Sequence, residues 1–329
     1  MREIRLMFLF CLLMIASGVN ALTLRLATQS PDGSAWMVSL RKAAATIAQE
    51  TSGRVVLKFY TGGTMGSDRT VLSKIRIGEL QGGALTLSSM DSVVHDTDLY
   101  SLPMLFRNEV DVDRVRRVMD PMLSRELEEA GWINFGFAEG GFVYLFSHKD
   151  VVTTQAQLRA HKVWIPEGDR FSSTAFRMLG VSPVPLSLGD VLPGLQTGIV
   201  DVVAGSPIAV LALQWQSALH SVTDVPISYL CGVLTISKKD FERIAPADQL
   251  IVRRVMTATF QALDQANRRD NQAAYQALLH QGILPAHPTA ADLQQWRQLS
   301  QTVTRGLVQQ GFVSAAAVGR VQSVLAGGQ

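Results

Sequence analysis

The sequence predicts a two-lobed α/β protein, on three observations. Strand-like and helix-like segments alternate from residue 22 onward, a second such series begins after residue 134, and one uninterrupted helical segment near the C-terminal end is too long for a single lobe. The chain has 329 residues, of which 47% are hydrophobic. Length alone suggests about two domains, and the composition supports packed cores instead of disorder.

Taking the elements in order, Arg2 and Arg5 precede the apolar run Leu6 to Ile15, and small residues follow as far as Ala21. This pattern is expected to be a secretory leader over residues 1–21, cleaved after Ala21, because about 20 apolar residues are needed to span a bilayer. The exported chain then keeps only Cys231, forms no internal disulfide, and depends on an ordinary core. Leu22 to Ala27 alternates apolar and polar residues as a half-buried strand does. A turn at Ser30 to Ser34 leads to a helix over Ala35 to Thr51, with Ser34 as N-cap. Val55 to Tyr60 is the second strand of a βαβ unit. The loop Thr61 to Ser67, a helix at about Asp68 to Ile77 and a strand at Gly82 to Leu87 continue the series, which implies a parallel sheet covered on both faces.

The second series has strands at Phe135 to Ser147, Val163 to Ile165, Val184 to Leu186 and Val200 to Ala204. Helices are expected at Arg170 to Leu179 and Leu188 to Thr197. Val233 to Ile236 reads as a strand returning to the first sheet. Ala247 to Gln281 holds neither proline nor glycine, and at 1.5 Å per residue it makes a helix of roughly 50 Å that spans both lobes. The expected division is residues 22–142 plus 230–269 for the first lobe and 143–229 plus 270–329 for the second. Such an arrangement is that of a hinged, bilobal binding protein.

Composition also excludes classes. Thirty basic against 28 acidic residues give a net charge of +2, too balanced for a nucleic-acid binder. The six histidines are scattered and form no metal-ligand pattern, so neither a metal nor any other cofactor is expected. There is no nucleophile elbow, the glycine-rich segment at Gly62 to Gly66 lacks the lysine of a phosphate loop, and Cys231 reads as a buried thiol. An enzyme is therefore not expected.

The segments His161 to Pro166, Leu179 to Val191 and Leu195 to Asp201, in this order and spacing, resemble the signature of the solute-binding proteins of tripartite ATP-independent periplasmic (TRAP) transporters, of the dicarboxylate-binding type. Ser101 to Arg107 and Gly63 to Asp68 resemble two further segments of that family. The resemblance implies a bilobal periplasmic-binding-protein-like fold, with hinge strands and a long helix joining two α/β domains. It also implies a periplasmic receptor that closes on a small solute and hands it to membrane permease subunits.

Within the resemblance, three positions depart from the usual pattern. Trp164 stands where most relatives have an arginine that pairs bidentately with the ligand's carboxylate, Val143 stands where a second arginine is common, and Ser206 where an asparagine is usual. The expected ligand is therefore hydrophobic or amphipathic, because burying a carboxylate without a paired cation costs several kcal/mol. Trp164, Val143, Ser206, Leu188, Met65, Met90 and Trp36 are the candidate lining. For Met65, Met90 and Trp36, ordinary core packing stays open beside that role. Arg170 is a candidate displaced anchor for an organic acid, against the alternative of a solvated helix start, while Tyr144 and Tyr229 are candidate donors near the hinge. A periplasmic lipid shuttle or sensor without a permease stays open, and so does the choice between monomer and dimer.

Overall fold

The computed structural model describes residues 21–327. The expected leader, apart from Ala21, lies outside the described residues. The first unit forms as its residues dictate. Strand β1 (Leu22–Thr28) is followed by helix α1 (Ala35–Glu50), which starts where the Ser34 hydroxyl accepts the amide of Met37 at 3.3 Å. Met37, Leu40, Ala43 and Ile47 fall on one face of α1 and are buried, as a 3.6-residue period requires. Strand β2 (Val55–Tyr60) then pairs parallel to β1, Leu22 opposite Val55 and Ala27 opposite Tyr60.

Helix α2 (Asp68–Arg76) leads to β3 (Gly82–Thr86), parallel to β1 on its other side. Gly82 is required there, since a Cβ would collide with the carbonyl of Thr235 on the neighbouring strand. After α3 (Glu109–Glu129), the chain enters β4 (Trp132–Ser147), a 16-residue strand. Helix α4 (Gln155–Arg159), β5 (Trp164–Pro166), α5 (Arg170–Met178) and β6 (Val184–Leu186) follow. Then come α6 (Val191–Thr197), β7 (Val202–Gly205), α7 (Pro207–Ala212), β8 (Ser221–Thr223) and β9 (Ser228–Ser237). Helix α8 (Lys238–Phe241) precedes α9 (Pro246–His280), and β10 (Leu284–Ala286), α10 (Ala290–Gln309) and α11 (Ala315–Leu325) complete the described chain.

The sheet is mixed, where the sequence suggested a parallel one. Its order is β10-β8-β4-β9-β3-β1-β2, with β7 also on β4, and β9 runs antiparallel to both β3 and β4. Strand β4 serves both ends. As far as Val143 it pairs with β9, and from Tyr144 onward it pairs with β7 and β8. Two register shifts in β4, between Asn134 and Phe137 and between Glu139 and Gly141, fall beside Gly136 and Gly141, whose positive φ angles of 96° and 95° let the strand bulge and turn. Strands β5 and β6 form a separate parallel pair, and this end of the molecule has its own apolar cores, around Phe146, Trp164 and Val203 and around Leu145, Ile165 and Phe176.

Helix α9 begins with Pro246 at its first turn and runs 35 residues, as the absence of internal proline and glycine predicts. It is pinned to β4 midway by charge and hydrogen bonds. Asn267 donates to the carbonyl of Glu139 at 2.6 Å and Asn271 to that of Gly140 at 3.0 Å. Glu139, 1% exposed, receives Arg116 of α3 at 2.6 Å and Arg268 of α9. Burial works to raise its pKa, but the hydrogen bond from Arg268 and the two nearby guanidiniums hold it below the ordinary glutamate value. The strand that both ends share is thus clamped from two helices by fully paired charges.

Candidate functional site

A cleft of about 1000 Å³ opens at the carboxyl ends of β1, β3, β5 and β7, the side of an α/β sheet on which chain reversals leave room for ligands. One wall carries Gln29, Ser30 and Trp36 after β1, the start of α2 at Ser67 to Thr70, and Thr86 after β3. The other carries Trp164 to Asp169, Leu188 and Ser206, and Val143, Tyr229 and Gly232 of the shared strands also line it.

Five of the expected lining residues meet here: Trp36, Val143, Trp164, Leu188 and Ser206. Trp164 is only 5% exposed. Its indole N–H donates to the Leu186 carbonyl at 3.1 Å, and its ring meets Trp215 edge to face at 5.2 Å. It is therefore both cleft wall and core. Trp36 packs edge to face on Phe260 at 5.8 Å and covers Gly232 so closely that a Cβ there would collide with the indole. Ser206 is 2% exposed, directly before Pro207 at the first turn of α7. Its hydroxyl caps nothing and has no hydrogen-bond partner among the described residues.

Three expected residues do not line the cleft. Met90 is wholly buried in the core with Leu87, Leu99 and Tyr100, because the short 3₁₀ turn after β3 directs it inward. Met65 packs on the edge of the same core, its sulfur 3.8 Å from Lys74 Nζ. Arg170 lays its guanidinium over the ring of Phe312, 5.7 Å from the centroid. The neighbouring Phe171 and Ser172 take the cleft-facing side of α5, since successive helical residues point about 100° apart. Of the two tyrosines, Tyr229 lines the cleft, whereas Tyr144 stacks on Tyr275 at 5.4 Å. Cys231 also lies on the wall, 3% exposed, and burial pushes its thiol well above the ordinary range, so it carries no thiolate at neutral pH.

The charges of the site were missed in the sequence. Arg69 is the one basic side chain among the described cleft-lining residues. Its charge is already paired: Nη2 meets both carboxylate oxygens of Asp91, at 3.2 and 3.0 Å, and Nε donates to the carbonyl of Gly168 on the opposite wall. Arg69 therefore joins the two walls. Asp68 is buried and receives Gln29 at 2.9 Å, together with the amide and hydroxyl of Thr86 at 2.9 and 2.8 Å, while its burial raises its pKa. Asp169 caps α5 through the amide of Ser172 at 2.9 Å. Behind these lies Asp98, fully buried with neither oxygen bonded. Burial first, and then the charges of Asp91 and Asp169, push its pKa up to about 9 against the opposing pull of Arg69. The one signal available in the sequence was that Asp68 ends the quoted Gly63 to Asp68 segment and Arg69 follows it.

No group of three or more His, Cys, Asp or Glu among the described residues is placed to hold a metal ion. No described helix is long and apolar enough to cross a membrane.

Comparison with known proteins agrees with this architecture. Residues 26–310 match the family model described as bacterial extracellular solute-binding protein, family 7. The C4-dicarboxylate-binding periplasmic protein DctP of Rhodobacter capsulatus is 24% identical over 255 residues, covering 76% of this chain and 75% of its own. The sialic acid-binding periplasmic protein SiaP of Vibrio cholerae is 20% identical over 292 residues, covering 87% and 88%. Among solved structures, the sugar acid binding protein DctPAm of Advenella mimigardefordensis, in complex with galactonate, superposes with a TM-score of 0.85 at 17% identity, covering 93% of this chain and 98% of that one. A TRAP periplasmic solute binding protein of Ralstonia eutropha, with bound (S)-2-acetolactate, also gives 0.85, at 20% identity and 93% and 99% coverage. These relatives are receptors and not enzymes. The chain belongs to family 7 of the bacterial extracellular solute-binding proteins, the bilobal periplasmic receptors of TRAP transport.

Proposed function

We propose that this receptor closes on a hydrophobic or amphipathic solute and delivers it to a membrane permease driven by an ion gradient. The observation that carries this reading is the state of Arg69, the single basic side chain of the cleft lining, which is already neutralised by Asp91. The relatives' names specify dicarboxylate, sialic acid and sugar acid ligands. An acid of that kind in this cleft would face Asp68, Asp91, Glu167 and Asp169 without a free cation, at a cost of several kcal/mol, or about three decades of affinity. Trp164, Val143 and Leu188 instead offer apolar area, and Ser206 offers one unpaired hydroxyl. Delivery to a permease follows from the family, and a leader over residues 1–21 agrees with the family's periplasmic location.

Closure requires a hinge. The switch of β4 from β9 to β7 and β8 after Val143 supports the division of lobes at residues 142 and 143, with α9 bridging them. The experiment is isothermal titration of the purified receptor with succinate, galactonate and 2-oxo acids beside apolar and amphipathic solutes of similar size. Micromolar binding confined to the apolar set supports the reading. Micromolar binding of an acid that survives Trp164→Ala overturns it.

A further inference from the structure

One branch of the cleft is lined by facing strips of two helices. Phe171, Ala175 and Leu179 lie along one side of α5 and its C-cap, and Trp296, Leu299 and Val303 along one side of α10, at the spacings that put side chains on a common face. The helices come together at Met178, whose thioether lies over Gly306 so tightly that a Cβ there would stand 2.7 Å from it. The side-chain donors of this branch are already used. Ser300 donates to the Trp296 carbonyl at 2.8 Å, Trp296 Nε1 to that of Thr153 at 2.9 Å, and Gln155 to that of Leu179 at 2.8 Å.

The whole cleft has room for on the order of 30 waters at about 30 Å³ each. A water in this branch would find acceptors at Gln155 and Ser300 but no side-chain donor among the bonds above, at the low end of the two to four polar partners that hold a buried water in place. Val143, Leu145 and Ile165 continue the apolar lining on β4 and β5, while Ser206, whose hydroxyl caps nothing, lines the same cleft from the start of α7. Resting on the reading of the cleft as apolar, we propose that the solute is a single-chain amphiphile. Its alkyl tail lies between α5 and α10, and its neutral hydrogen-bonding head group reaches Ser206. An anionic head is disfavoured for the same reason as the acids above.

The test is isothermal titration of the full receptor with unbranched primary alcohols from butanol to decanol, and with succinate. Affinity is expected to rise about fourfold per methylene, the ratio that corresponds to about 0.8 kcal/mol, until the branch is full. Ala175→Leu, which fills part of the branch, is expected to weaken decanol on the order of tenfold and to leave butanol unchanged. Leu299→Trp is the second variant should the first fail to fold, with melting temperature as the control. Affinity that is flat along the series, or variants that affect butanol and decanol alike, overturns the tail site. If the flat series still depends on Trp164, the apolar cleft stands without its tail site. Succinate binding with no alcohol binding overturns both.

Discussion

Trp164 and Leu186 are joined by a hydrogen bond of 3.1 Å from indole N–H to backbone carbonyl. The bond ties β5 to β6 through a side chain, beyond the backbone ladder that already pairs them. It fixes the ring so that one edge meets Trp215 while the residue still borders the cleft. At this position the receptor has a rigid apolar wall built into a core.

Trp164→Ala is therefore expected to act twice. Only 5% of its surface is open to a solute, so direct contact loss lowers affinity about twofold, and the rest of the loss comes from the displaced wall. The cavity left beside Trp215 also destabilises the fold by about 3–5 kcal/mol. Trp164→Phe keeps most of the contact and loses the bond to Leu186, so its affinity should fall less. Titration together with denaturant unfolding separates the two effects. Equal affinity in all three proteins would remove Trp164 from the site.

Gly232→Ala places a methyl group against the indole of Trp36. The ring must leave its edge-to-face seat on Phe260, at a cost of about 1–3 kcal/mol. Weaker solute binding and shifted tryptophan emission are expected, and Trp36→Ala in the same chain should relieve the strain. A double variant as unstable as Gly232→Ala alone would count against this packing.

Asp98 makes stability depend on pH in an unusual direction. Its folded-state pKa of about 9 lies far above the ordinary aspartate value of about 3.9, so between those values the folded state binds more protons than the unfolded one. Stability from this group is thus present in acid and is lost as pH rises from about 4 to 9. Asp98→Asn should flatten that slope, leaving stability nearly unchanged near pH 4 and raising it by a few kcal/mol near pH 8. Urea unfolding at both pH values gives the answer, and parallel slopes in the two proteins would contradict it.

Arg69→Met removes the contact with Gly168 and leaves Asp91, Asp98 and Asp169 without their shared cation. The closed form should weaken. Small-angle scattering at saturating solute should show a larger radius of gyration for the variant than for wild type. Identical radii would mean that Arg69 does not hold the walls together.

Local elements were legible because local rules decide them. The Ser34 cap and the buried spacing of Met37, Leu40, Ala43 and Ile47 give α1, and the stretch free of proline and glycine gives α9. The course of β4 was not legible, since its bulges and its change of partners depend on β7, β8 and β9, which are distant in sequence. The site followed the same division. Trp36, Val143, Trp164, Leu188 and Ser206, chosen from position along the chain, line one cleft, whereas Met90 reads equally well as lining or core until packing decides. Arg170 and Arg69 exchange roles for a similar reason. Which arginine faces the cleft depends on contacts with Phe312 and Gly168, 142 and 99 residues away respectively.

The central claim is that this receptor holds an uncharged, largely apolar solute where its relatives hold acids. Native mass spectrometry of the protein released gently from the periplasm, followed by identification of the retained small molecule, tests it most directly. The expected result is a neutral solute with an alkyl portion, displaced in Trp164→Ala. A retained dicarboxylate or sugar acid, still bound in Trp164→Ala and lost in Arg69→Met, would contradict it.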